Sequence, residues 1–284
     1  MGTGVGVSLS GSLNTNSGAL AALASLRRID SELSVFNKQL QTGYRVADAF
    51  DDASTFSVAQ GIRGDLQAYG AVQSSLASGV GLASVTQAAL TSVSNASNDL
   101  YTKTVQLADG SISANQRTLY AADYAALQTQ ISNFLTQANY GGANLLSNNS
   151  VSKTFLADVT SSNLSLSSQS GVSAAFTTFN AASVSSASSS TAALATITSF
   201  QNTVATSLAA NASESNQLTQ QSNFNNAVVD AQLTALGTLV DADIGKAAAR
   251  VQALQVSRQL AITSLSIANE QPRQLLGLFP TSTR

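Results

Sequence analysis

Apolar residues recur at helical spacing at both ends of this chain, and that double periodicity restricts its folds more than any other feature. Leu20, Leu23, Leu26, Ile29, Leu33, Phe36 and Leu40 follow at intervals of three and four, the pattern of an apolar stripe along an α-helix. Asn14 to Ser17 offers capping side chains before it, and Gly43 ends it. The segment GYRVADAFDDAST then mixes turn formers with isolated apolar residues and reads as a structured linker. From about Ser57 a near-heptad pattern through Ile62, Leu66, Tyr69, Val72, Leu76, Val80, Ala83, Leu90, Val93 and Leu100 predicts one long, coiled-coil-like helix. Gly61, Gly64, Gly70, Gly79 and Gly81 lie inside it, each costing roughly 1 kcal/mol relative to Ala. Such a helix needs close neighbours.

Asp109-Gly110 marks a break, and a stripe through Leu119, Tyr124, Leu127, Ile131 and Leu135 predicts a helix returning antiparallel. Tyr140-Gly141-Gly142 ends it. Weak alternation from Ala143 to about Ser168, with Thr154, Leu156, Val159, Leu164 and Leu166 among turn formers, reads as a β-hairpin. Ser183 to Ser190 is a low-complexity Ser/Ala segment, a loop or an exposed helix start. Helical signal resumes near Ala192 through Ile197, Phe200, Val204 and Leu208. Past a polar stretch it runs again from Phe224 to about Pro272. The fold class is mainly α: a long antiparallel helical bundle or coiled-coil rod formed by both chain ends, with a small β-hairpin region.

Only 10% of the 284 residues are charged, against a usual share of about 25%, while 44% are hydrophobic, there are two prolines and no tryptophan. This suits a long, thin, small-residue core and a surface of Ser, Thr, Asn and Gln that favours self-association. A net charge of -2 without a basic cluster offers nothing to nucleic acid. The absence of Cys and His excludes disulfides, thiol nucleophiles, imidazole acid/base catalysis and the common zinc sets. No cofactor or metal is expected. The opening MGTGVGVSLSGSLNTN lacks the basic and apolar regions of a conventional signal peptide, and no run of about 18 apolar residues suggests a membrane partner.

The last helix shows most about mechanism. At 100° per residue, Ile244, Val251, Leu254, Ala261, Ile262, Leu265 and Ala268 share one side, while Ala249, Ala253, Val256, Leu260 and Ile267 share another roughly 150° away. One partner helix needs one stripe. The second face calls for a further contact, either within the chain or from a neighbouring subunit, and we favour the neighbouring subunit.

These residues carry a family resemblance. LNTNSGALAAL, Leu13 to Leu23, resembles the opening of bacterial flagellins. LQTGYRVADAFDDAS, Leu40 to Ser54, aligns without a gap to the family's Leu-Ser-Ser-Gly-Leu-Arg-Ile-Asn-Ser-Ala-Lys-Asp-Asp-Ala-Ala signature, keeping Leu40, Gly43, Arg45, Ala49, Asp51, Asp52 and Ala53. DADIGKAAARVQALQVSRQLAITSLSIANEQPRQLLGLF, Asp241 to Phe279 and including Leu275 and Leu276, is similar to the terminal flagellin helix. The likeness spans residues 13–146 and 192–279, and its SIAN and GLF details resemble the short flagellins of alphaproteobacteria.

The resemblance implies a filament subunit. Residues 1–42 would be a leader and inner-core helix, 43–56 a linker carrying the Gly43, Arg45, Asp51 and Asp52 signature, and 57–139 the N-terminal rod helices. A β-hairpin and polar loop would follow at 140–186, a C-terminal rod helix at 187–223, and a C-terminal inner-core helix and tail at 224–284. Self-assembly would fall to the terminal stripes: Leu20, Leu23, Leu26, Leu33, Phe36 and Leu40 from one end, and Ile244, Val251, Leu254, Val256, Leu260, Leu265, Ile267, Leu275 and Leu276 from the other. The short middle implies a thin, smooth filament. Implied partners are other flagellin copies, hook-associated junction and cap proteins, an export chaperone and the flagellar type III export apparatus, which would place the chain outside the cell without a signal peptide. The opening before Asn14 and the stretch Pro280 to Arg284 extend past the usual family ends.

Other readings are weaker. Asp51-Asp52 and Asp241-Ala242-Asp243 suit helix-terminal charge or linker ion pairs with Arg45 better than catalysis, because adjacent side chains diverge. Gly79-Val80-Gly81 lacks the strand and Gly-Lys-Ser/Thr of a phosphate loop and suits close packing. A hook-filament junction protein of the same fold is the alternative. Many flagellins carry an Arg-x-Arg-Glu cluster for the vertebrate Toll-like flagellin receptor. The corresponding positions here are Asp99, Leu100, Tyr101 and Thr102, a degenerate site. The hydroxyl-rich Ser161 to Ser190 suits either O-linked glycans or a plain hydrated surface.

Overall fold

The computed structural model describes residues 16–277, with side chains described for residues 16–270. Its elements are α1 (Ser17–Thr42), α2 (Ala53–Ala108), α3 (Ala114–Gln137), β1 (Lys153–Leu156), β2 (Asn163–Leu166), α4 (Ser170–Asn180), α5 (Ala187–Val240) and α6 (Ile244–Gly277). The fold is mainly α with one two-stranded antiparallel sheet. Two compact units form: a terminal unit from residues up to Ile62 together with those from Thr234, and a central unit from Arg63–Leu233.

In the terminal unit, α1 begins at Asn16, whose side chain accepts the Ala19 N–H, and ends at Gly43 with φ +73°, a conformation open to glycine at little cost. The helix pairs antiparallel with α6. Asn16 Nδ2 donates to the Ala268 carbonyl at one end, and Ala242 N–H donates to the Gly43 carbonyl at the other. Ile29 on α1 and Ala247, Val251 and Leu254 on α6 are buried between them. Leu20 is exposed, contrary to its place in the stripe. Each interval of three turns the position by about 60° around the helix, so the successive threes from Leu26 back to Leu20 swing it off the α6 side. Behind the linker, Val46, Ala59 and Val240 form a small core with Phe56, Leu236 and Leu239.

The central unit packs α3, α4 and the hairpin with most of α2 and α5. Phe176, Phe179, Phe200 and Tyr124 form an aromatic cluster, with Phe179 and Phe200 stacked at 6.0 Å between ring centroids. Leu90, Val93, Leu100, Leu107, Ile131 and Leu135 complete that core. A second core of Val72, Leu76, Leu82, Ala83, Leu145, Leu166 and Leu218 lies under the hairpin. The hairpin pairs Lys153 with Leu166 and Leu156 with Asn163, and Asp158 accepts three bonds from Thr160 and Ser162 in its turn. Asn225 Nδ2 and Gln221 Nε2 both donate to the Ala157 carbonyl, and the Glu214 carboxylate accepts from Ser167, fastening the hairpin to α5.

Several features depart from the sequence reading. The helix read as resuming at Phe224 is continuous with the one before it, because the intervening polar residues are spent on packing: Asn211 is buried and donates to the Ala83 carbonyl and Gln87. α4 falls within the stretch where the sequence suggests a hairpin and polar loop, yet Val172, Phe176 and Phe179 bury one face of it. α6 continues through Pro272 to Gly277. α2 contains no run of 18 apolar residues, yet by length and mean hydropathy it is apolar enough to cross a membrane. Residues of α2 such as Leu76, Leu82, Leu90 and Val93 are buried in the unit's cores.

The glycines of α2 divide into two kinds. A methyl group on Gly64 or Gly70 would meet nothing within 4 Å, whereas one on Gly79 would stand 3.0 Å from Phe155 and 3.1 Å from Leu218. Gly70→Ala should therefore raise monomer stability by about 0.5–1 kcal/mol through helix propensity. Gly79→Val should lower it by about 1–3 kcal/mol by wedging the hairpin off the helices. Thermal denaturation of the two variants checks the difference in sign.

Candidate assembly surface

Pairing of α1 with α6 divides the apolar residues of α6 into two sets. Val251 and Leu254, 8% and 7% exposed, face α1, and Leu265 and Ala268 continue that side half-buried. On the opposite side Val256, Leu260 and Ile267 are 60%, 63% and 59% exposed. Among the described residues of that side, running from Ala249 through Ala253, Val256, Leu260 and Thr263 to Ile267, none is charged. Ile244 and Ile262 lie at the edge of the α1-facing side and are exposed. Leu23, Leu26, Leu33, Phe36 and Leu40 are half-buried along α1. Leu275 and Leu276 lie in the backbone of α6, with side chains outside the described residues.

An open cleft of about 790 Å³ runs between the two helices, lined by Leu33 and Ile262 and by polar groups including Asp30, Lys38 and Gln255. Arg258 closes part of it through a 2.8 Å ion pair with Asp30. Both side chains are about half exposed, so the pair contributes at most ~1 kcal/mol.

Ion pairs and backbone hydrogen bonds tie the linker down. The sequence allows Asp51 and Asp52 to be caps or ion-pair partners of Arg45; Asp51 instead joins Asp48 on Lys38, on the last turns of α1, at 2.8 Å. Asp51 also accepts the N–H groups of Ala47 and Asp48, and Asp48 those of Phe50 and Asp51. Asp52 caps α2 by accepting from Ser54 N–H, Thr55 N–H and the Thr55 hydroxyl. Arg45 instead donates to the Leu239 carbonyl, and its own N–H donates to Val240. The Lys38 ammonium holds the Asp48 and Asp51 carboxyls below the ordinary carboxylate range, and the Thr55 hydroxyl does the same for Asp52. Lys38 is raised in turn, first by Asp48 and then by Asp51. At the start of α6, Asp243 rather than Asp241 is the cap, accepting the Lys246 N–H at 2.9 Å.

At the degenerate receptor segment, Leu100 is buried in the aromatic core, leaving Asp99, Tyr101 and Thr102 at the surface. The adjacent cation, Lys103, pairs with Asp123 and lies over the Tyr120 ring. Within the hydroxyl-rich Ser161 to Ser190, Ser173 and Ser190 are buried and donate to backbone carbonyls, so part of that segment is structural.

The family model for the bacterial flagellin N-terminal helical region matches residues 13–151. A flagellin of Brucella melitensis is 31% identical over 280 residues, covering 94% of this chain and 99% of that protein. Flagellin FljN of Caulobacter vibrioides is 30% identical over 268 residues, covering 94% and 98% respectively. The crystal structure of Bacillus cereus flagellin superposes with a TM-score of 0.48 and 18% identity, covering 53% of this chain and 88% of that one.

The linker carboxylates have native pKa values below their unfolded value of about 3.9, so their contribution is present above that value and lost as pH falls through the native one. The raised Lys38 contributes below its unfolded pKa and is lost only in the alkaline range above it. Lys38→Met should reduce stability at neutral pH while flattening its fall below about pH 4. Melting temperatures of the two proteins at a series of pH values, followed by circular dichroism, check this. Parallel acid limbs would contradict it.

Proposed function

The chain belongs to the bacterial flagellin family and is a subunit of the extracellular flagellar filament, and on that premise we propose that it polymerises through the outward apolar face of α6. The observation that carries this reading is the exposure of Val256, Leu260 and Ile267 on a helix whose other apolar face is already taken by α1. Each such side chain gains about 1.5–3 kcal/mol on full burial. In a filament the same gain repeats at every subunit, whereas an isolated chain leaves the face in water. Leu20, Ile244 and Ile262, also exposed, extend the apolar surface available to neighbours.

Export through the flagellar type III apparatus, aided by a flagellin chaperone, and contact with hook-associated junction and cap proteins complete this reading. A flagellin is a structural protein. The lack of Cys and His is consistent with that role, since it removes thiol and imidazole chemistry from the chain. The hook-filament junction alternative is not favoured, because flagellins match the chain along almost its whole length.

Leu260→Asp combined with Ile267→Asp should abolish polymerisation while secretion continues, because each carboxylate buried without a partner costs several kcal/mol per contact. Ser264→Ala, between the two faces, should assemble normally. Electron microscopy of seeded, secreted protein checks both; double-mutant filaments of ordinary length would remove the face from the assembly contacts.

Receptor recognition is expected to be weak. Asp99, Tyr101 and Thr102 present no cation where charge-assisted bonds of about 1.5–3 kcal/mol each would form, and Leu100 is not at the surface. Depolymerised, lipopolysaccharide-free protein should give little signal in a receptor reporter assay, and a potent response would contradict this.

A further inference from the structure

Phe50 has the highest fractional exposure of the large apolar side chains among the described residues, at 99%. A single exposed apolar residue on a mobile loop needs no explanation. This one stands on a loop whose backbone is tied down on every side. The Phe50 N–H donates to Asp48 Oδ1 at 2.8 Å, the N–H groups of Ala47 and Asp48 donate to Asp51 Oδ2, and Lys38 joins both carboxylates to α1. A ring held out in water on a pre-ordered backbone loses little conformational freedom when it is covered, which is the condition that favours an anchor residue.

We propose that Phe50 inserts into a second copy of this chain in the filament, as an aromatic anchor of the subunit contact, a proposal that rests on the filament reading above. A neighbouring subunit is brought to the loop by assembly itself, because the outward face of α6 starts just beyond the residues that bond the linker, Val240 and Ala242.

Two variants test this. Phe50→Ser removes the ring from a site with no packing in the monomer, so its circular dichroism should match the parent while the critical concentration for seeded polymerisation rises at least roughly tenfold. Phe50→Trp places a lone indole in a chain that has no tryptophan, so all its tryptophan emission reports this position. That emission should be solvent-like and open to acrylamide quenching in the monomer, then shift to the blue and become protected in filaments. Assembly of Phe50→Ser at the parental critical concentration, an indole equally quenched in filaments and monomer, or an indole already protected in the monomer would each overturn the proposal. Because the parent protein and Ser264→Ala are seeded alongside, a failure of the filament reading shows as absence of filaments in every sample. A failure of the Phe50 contact shows as normal filaments with an exposed indole.

Discussion

Antiparallel pairing of α1 with α6 is the interaction on which the terminal unit depends. It joins Asn16 to Ala268 across 252 residues of sequence, so its closure entropy falls on a short apolar seam of Ile29, Ala247, Val251 and Leu254. Seams of this size are weak by themselves. The linker compensates by fixing the register at the other end: Arg45 and Val46 donate to the Val240 carbonyl, Ala242 donates to Gly43, and Lys38 locks the loop between them. With α1 satisfying one side of α6, the remaining apolar side stays exposed in the single chain, the surface proposed above for contact with other copies.

Charge is used sparingly and unequally. Of the thirteen Lys and Arg residues only Arg63, Lys103, Arg117 and Lys153 lie in the central unit, which relies on amides and hydroxyls for specificity. Asn211, Asn225 and Gln221 bond backbone carbonyls of α2 and the hairpin, and Gln201 bonds the Ser97 carbonyl of α2. Such bonds set the register of small-residue helices without the desolvation cost of burying ions. They also leave a largely uncharged surface, which suits close packing against identical neighbours.

Much of this architecture is legible in the sequence because helical periodicity reports burial directly. The two faces of α6 follow from its residue spacing alone, and the structure places Val251 and Leu254 on one and Leu260 and Ile267 on the other. Periodicity fails where polarity and exposure part company. The stretch around Asn211 reads as a break although it is helical and packed, and Val172, Phe176 and Phe179 are masked by the Ser, Thr and Ala around them. Through-space pairing is not written in spacing at all. Nothing local to Asp51 designates Lys38, thirteen residues earlier, in preference to the nearer Arg45.

The division of α6 into an inward and an outward face is tested most directly by a cryo-electron microscopy map of the native filament at side-chain resolution. Val251 and Leu254 should remain against α1 of their own chain, with Val256, Leu260 and Ile267 in van der Waals contact with helices of other subunits. Finding those three side chains lining a solvent-filled surface, inside or outside the filament, would contradict the assignment.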